Sequence, residues 1–155
     1  MKDWERYAPE LARAALKARE NSYAPYSRWT VGAALLDEEG RIHTGCNIEN
    51  GAYGPSCCAE RVAFFTALAA GKRTFAAVAV AGGPEGEKPG QYCPPCGVCR
   101  QVMAEFCGDD FPVLLVKGEG ETVLRTLGEL LPERFQLISQ DMGPREKRSE
   151  SREDV

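Results

Sequence analysis

Two short stretches bring together residue types that bind metal and move protons. Cys58-Ala59-Glu60-Arg61 lies mid-chain, and Pro95-Cys96-Gly97-Val98-Cys99 begins 35 residues beyond Glu60. Three thiolates can hold a zinc ion while leaving one tetrahedral position open, which is the arrangement of catalytic sites; structural sites close on four protein ligands. Glu60 need not be a ligand. Two residues from a thiolate, its carboxylate is placed to take a proton from a metal-activated water and hand it on to a leaving group. Three thiolates also give the cluster a net negative charge, which opposes ionisation of that water. Arg61 and Arg100 each directly follow a motif element. Arg61 is the expected donor to the sulfurs, and Arg100 is read as a surface charge.

Both motifs fall where helices begin, so free backbone N–H groups and the positive helix end favour thiolates there. Ser56 to Ala70 reads as a helix that is apolar on nearly every side, ending at Gly71, and Gly97 to Phe106 as a second, shorter one. An earlier helix is expected near Pro9, with Leu11, Ala14, Ala15 and Ala18 at helical spacing. Trp29–Leu36, the turn Asp37-Glu38-Glu39-Gly40 and the alternating Ile42, Thr44 and Cys46 predict a β-hairpin that delivers residues 47–51 into a loop. Phe75–Ala81 and Phe111–Val116 read as buried strands, and Thr122–Thr126 as a weaker one. Strands alternating with helices predict a layered α/β domain.

The chain has 155 residues, enough for one domain with one core. Its formal net charge of −4 offers no basic face for a polynucleotide backbone, so no nucleic-acid partner is expected. Met1 to Glu10 is charged, and no apolar run approaches the roughly 20 residues of a membrane span, so a cytoplasmic protein with no membrane partner is expected. Seven cysteines, an odd number, argue for thiols rather than a disulfide framework. Cys46, Cys57, Cys93 and Cys107 are read as small buried hydrophobes or bystanders. His43, the one histidine, is expected to be exposed on its strand. From Pro144 to Val155 eight of twelve residues are charged. The expected organisation is a single domain over 1–140 and a disordered charged tail over 141–155.

The motif pair resembles the zinc-dependent nucleoside and base deaminases, whose pattern is His or Cys, one residue, Glu, and later Pro-Cys-x-x-Cys. Tyr23-Ala24-Pro25-Tyr26-Ser27, Val31-Gly32-Ala33-Ala34-Leu35-Leu36, Gly45-Cys46-Asn47-Ile48-Glu49-Asn50 and the two motifs stand in the order of the small, homotetrameric type of cytidine deaminase. The likeness covers about residues 9 to 140.

That resemblance implies a three-layer α/β fold with a mixed central sheet flanked by helices. It implies one Zn²⁺ per chain on Cys58, Cys96 and Cys99, with Glu60 as the proton shuttle. Asn47 and Glu49 match the positions that hold the ribose hydroxyls, and the Ala59 backbone would meet the pyrimidine edge. Trp29 stands against the base where the family more often has phenylalanine, and Phe135 resembles an aromatic supplied by a neighbouring subunit. The implied reaction is hydrolytic deamination of cytidine and deoxycytidine, with ammonia released, in pyrimidine salvage. The implied assembly is a homotetramer whose sites are completed across subunits.

Two other readings compete. Cys93-Pro94-Pro95-Cys96 is itself a Cys-x-x-Cys, as in thioredoxin-like redox sites. Its prolines, however, hold Cys93 in an extended approach, whereas redox pairs sit near a first helical turn. A closed structural zinc with Cys93 or Cys57 as fourth ligand is the other. Neither explains Glu60 together with Asn47 and Glu49.

Overall fold

In the computed structural model, residues 3–137 are described. Strands β1 (Trp29–Asp37), β3 (Phe75–Pro84) and β4 (Pro112–Gly118) are apolar at successive positions, so both of their faces have to be covered. Helix α1 (Ala8–Ala18) covers one face, setting Leu11, Ala12 and Ala15 against Ala34, Leu36, Ala77, Ala79 and Leu114. Helices α2 (Ala59–Ala69) and α3 (Gly97–Phe106) cover the other, where Phe64, Ala67 and Met103 pack on Ala33, Leu35, Val78, Val80 and Val113. The odd and even positions of each strand thus go to opposite cores, as the period of two requires.

With β2 (Ile42–Cys46) and β5 (Glu121–Thr126) the sheet runs in the order β2-β1-β3-β4-β5. Only β3 and β4 pair in parallel, with Val78 opposite Val113; the remaining pairs are antiparallel. This is the three-layer, mixed-sheet α/β architecture. Small residues let the layers approach closely: a Cβ on Gly32 would fall 2.0 Å from the Ala15 carbonyl oxygen, so α1 lies directly on the backbone of β1. No helix among the described residues is long and apolar enough to cross a membrane.

Several boundaries differ from expectation. Helix α2 starts at Ala59 rather than Ser56, because Cys57 exchanges both of its backbone hydrogen bonds with Ile48, at 2.9 and 3.0 Å, and is held extended. The helix ends as expected at Gly71, whose φ of 88° lets Gly71 N and Lys72 N bond back to Leu68 and Ala67. A fourth helix, α4 (Leu127–Leu130), was not expected; Thr126 and Glu129 form a capping box that starts it.

Two side chains also correct the sequence reading. His43 is not exposed: its ring nitrogen Nε2 lies 2.9 Å from Oδ2 of the buried Asp37. The other Asp37 oxygen accepts from Glu39 N and Arg41 N, so this carboxylate organises the β1–β2 turn. Arg100 is not a surface charge: it donates to the carbonyls of Pro95 and Leu130 and ties the second motif to α4. The charged tail expected over 141–155 lies outside the described residues.

Candidate active site

Cys58 and Cys96 occupy equivalent places. Each is the extended residue immediately before a helix, α2 and α3 respectively, and neither spends its side chain on capping that helix. Their carbonyls close the first turns by accepting from Val62 and Arg100. Both sulfurs are left to point between the helix ends, where first-turn N–H groups have no intrahelical acceptor. Cys99, one turn into α3, completes the group. The Sγ atoms of Cys58 and Cys96 are 3.7 Å apart, and those of Cys96 and Cys99 are 3.6 Å apart.

A zinc ion bonded to sulfur at about 2.3 Å requires tetrahedral S···S edges of roughly 3.8 Å, so donor type and spacing both fit Zn²⁺. Among the described residues these three are the metal-binding side chains that converge, within 4.8 Å of one another. Neither Cys57 nor Cys93 joins them, so the group is one ligand short of a closed structural site. No disulfide links any of the seven cysteines.

Glu60 stands at the edge of this group, 4 % exposed, with its Oε2 3.6 Å from Cys99 Sγ. Burial raises its pKa above the ordinary carboxyl value, which favours its holding a proton. Arg61 Nη2 donates to Cys58 Sγ at 3.4 Å, as expected. A hydrogen bond from the Cys99 thiol, aided by Arg61, pulls Cys58 down to about 5, while that same bond with Cys58 pushes Cys99 up. Zinc binds thiolates, so loading the site releases the thiol protons.

The 47–49 loop is clamped from two sides. Tyr23 N donates to Asn47 O at 3.0 Å and Glu49 N to Tyr23 O at 2.8 Å, while the Ile48–Cys57 pairing ties the loop to the approach of α2. The Asn47 side chain bridges β1, donating to Trp29 O and accepting from Val31 N at 2.8 Å each. It keeps one N–H and one lone pair for a ligand. Glu49 Oε1 accepts from Tyr26 N and Ser27 N, and its bonds with Ser27 hold its pKa below the usual range. Ala59 is fully buried at the first position of α2. Trp29 is half-buried, and its indole nitrogen and the Cys93 sulfur both lie against Gly82 of β3. Phe135 is not drawn into this group: it is 70 % exposed, with its carbonyl accepting from Gln101.

Residues 5–115 match the family model described as the cytidine and deoxycytidylate deaminase zinc-binding region. The chain belongs to this deaminase family. A cytidine deaminase of Sporosarcina psychrophila is 49 % identical over 126 residues, covering 81 % of this chain and 89 % of that protein. The crystal structure of cytidine deaminase from Burkholderia pseudomallei superposes with a TM-score of 0.74 at 46 % identity, covering 81 % of this chain and 97 % of that one. That of the Mycobacterium tuberculosis cytidine deaminase gives 0.71 at 36 % identity, covering 88 % and 100 %. Within the family's zinc-binding region, the buried arginine contacts are what sequence reading missed. Arg100 and Arg19 both spend their guanidinium groups on main-chain carbonyls, and nothing in local spacing signals such long-range bonds.

Proposed function

We propose that the protein catalyses the hydrolytic deamination of cytidine and deoxycytidine to the uracil nucleosides, with one Zn²⁺ per chain held by Cys58, Cys96 and Cys99. The observation that carries this is the buried Glu60 carboxyl set against a three-sulfur group that leaves one position open. When bound, the ion supplies the Lewis acidity that lets a water molecule ionise near neutral pH. Glu60 takes the proton of the attacking water at Oε2 and returns protons to the ring nitrogen N3 and to the departing amine. Water and cytidine thus become uridine and ammonia with no other reactant. Arg61 withdraws charge from Cys58, offsetting the net negative donor set.

Substrate selection is assigned to the clamped loop. Asn47 and the second oxygen of Glu49 receive the ribose hydroxyls, the Ala59 backbone meets the pyrimidine edge, and Trp29 forms a wall against the base. A carboxylate at the sugar repels a phosphodiester, which favours nucleosides over nucleotides or nucleic acid. Phe135 serves a neighbouring subunit in a homotetramer. This assembly is supported by large apolar side chains left on the surface of the single chain, Tyr53 and Phe135 among them. Residues to about 140 form the single catalytic domain, and the three-thiol site suits the reducing cytoplasm.

The test is ammonia release from cytidine, deoxycytidine, cytosine, blasticidin S and single-stranded DNA, with zinc measured on the same sample. The expected result is turnover of the two nucleosides at one zinc per chain. Equal turnover of cytosine or single-stranded DNA would overturn the nucleoside assignment.

A further inference from the structure

The chain that follows α4 is fastened to α3 at both ends of that helix. Leu130 and Leu131 pack on the core, and the Leu130 carbonyl accepts from Arg100 Nη1 at 2.6 Å. At Glu133 the backbone turns with a left-handed φ of 51°, which residues other than glycine seldom hold. Arg134 then runs inward. Its side chain is 7 % exposed and donates to the Cys107 carbonyl at 2.9 Å and to the Asp109 carboxylate, both just past the C-terminal end of α3. The Phe135 carbonyl completes the series by accepting from Gln101 Nε2 at 3.2 Å.

The main chain is therefore pinned on both sides of a strained turn. A buried guanidinium is costly unless its donors are met, and here they are met by groups that anchor the residue just before Phe135. Leu130 and Leu131 use their side chains for packing, whereas the Phe135 ring is left in water. A ring held out on a fixed backbone is preorganised: little ordering remains to be done when another surface receives it. The helix that holds this arm also carries metal ligands. Arg100 bonds the Pro95 carbonyl beside Cys96 as well as Leu130, so the arm starts from the turn that places two of the sulfurs.

We infer that Arg134 and Gln101 are positioning residues that fix Phe135 as an arm for the active site of a second copy of this chain. Their loss is felt in the neighbour's pocket and not in their own. The inference rests on the reading above in which Phe135 serves a neighbouring subunit.

The experiment makes Arg134→Met and Gln101→Ala in the full-length, zinc-loaded protein. Each is expected to raise KM for cytidine about three- to tenfold, with kcat and zinc content little changed, and to speed amide hydrogen exchange over residues 130–135. The deciding measurement is co-assembly with an excess of Glu60→Gln chains, which lack the proton carrier but keep an intact arm. KM should return to the wild-type value, because each active pocket then receives Phe135 from an intact neighbour. A KM that stays raised in the mixed assembly would place the defect in the variant's own site and overturn the inference, as would a wild-type KM in both variants. Gln101 makes an exposed contact, so its variant decides the matter where Arg134→Met does not fold. Failure of the underlying reading looks different: Phe135→Ala would itself leave KM unchanged, whatever the two arm variants do.

Discussion

Gly45 of β2 and Ala59 of α2 touch through their backbones. A Cβ on Gly45 would lie 2.4 Å from the Ala59 carbonyl oxygen and 2.4 Å from Ala63 N. The strand edge therefore limits how deep the N-terminus of α2 sits, and with it Cys58 and Glu60. Gly45→Ala should push the helix away, because main-chain atoms have nowhere to yield. Stability should fall by about 1–3 kcal/mol, with zinc content and kcat falling together. Chemical denaturation and elemental analysis check this, and a fully loaded variant of unchanged stability would show that α2 is seated by something else.

Metal retention separates the three sulfurs from their neighbour. Cys58→Ala, Cys96→Ala and Cys99→Ala should each lose zinc, since two remaining thiolates hold it poorly. Cys93→Ala should keep one per chain. Metal-free, folded Cys93→Ala protein would argue for a closed structural site.

Glu60→Gln tests the chemistry apart from the metal. The amide keeps the shape of the carboxyl but cannot take up and release a proton, so the variant should fold, bind zinc and lose at least about 10²-fold in kcat. Turnover near wild type in a zinc-loaded sample would remove Glu60 from the mechanism.

Glu49 commits Oε1 to the backbone N–H groups of the Tyr26–Ser27 turn. Glu49→Gln preserves an acceptor for the turn while altering the oxygen assigned to ribose. KM for cytidine should rise roughly tenfold or more, and the preference over free cytosine should shrink. Unchanged discrimination would place the sugar elsewhere.

Acid sensitivity should be seated far from the metal, at Asp37. Burial alone would raise its pKa, but the His43 hydrogen bond and the Arg41 and Glu39 N–H groups outweigh this and hold it low. A lowered folded-state value means stability that is complete above the unfolded value, about 3.9, and is lost as pH falls through the folded one. Asp37→Asn should be less stable than wild type by about 1–3 kcal/mol at pH 7, with the gap closing below about pH 4. A gap that stays constant on acidification would show that the carboxylate's charge is immaterial.

What the sequence made legible was local. Glu60, the three converging cysteines and the bounds of α3 follow from spacing at helix starts, where type and position act within one turn. The start of α2 differs from expectation because Cys57 has helical neighbours but is held extended by Ile48, a partner outside any local window. His43 looked exposed from strand alternation alone, yet the β1–β2 turn brings Asp37 back to it. Arg100 looked like a surface charge because its acceptors, Pro95 and Leu130, are backbone atoms that no side-chain pattern announces. The parallel pairing of β3 with β4 likewise depends on a crossover rather than on the composition of either strand.

Cys58 precedes one helix and Cys96 the other, and each gives its sulfur to the space between them. A shared ion is then also a tether, fastening together two rods that otherwise meet chiefly through the sheet beneath them. The force that holds the chemistry open to a water molecule is the one that keeps α2 and α3 in register. Chelation would therefore unfasten a layer as well as silence a reaction, and the melting temperature should climb with the concentration of free zinc.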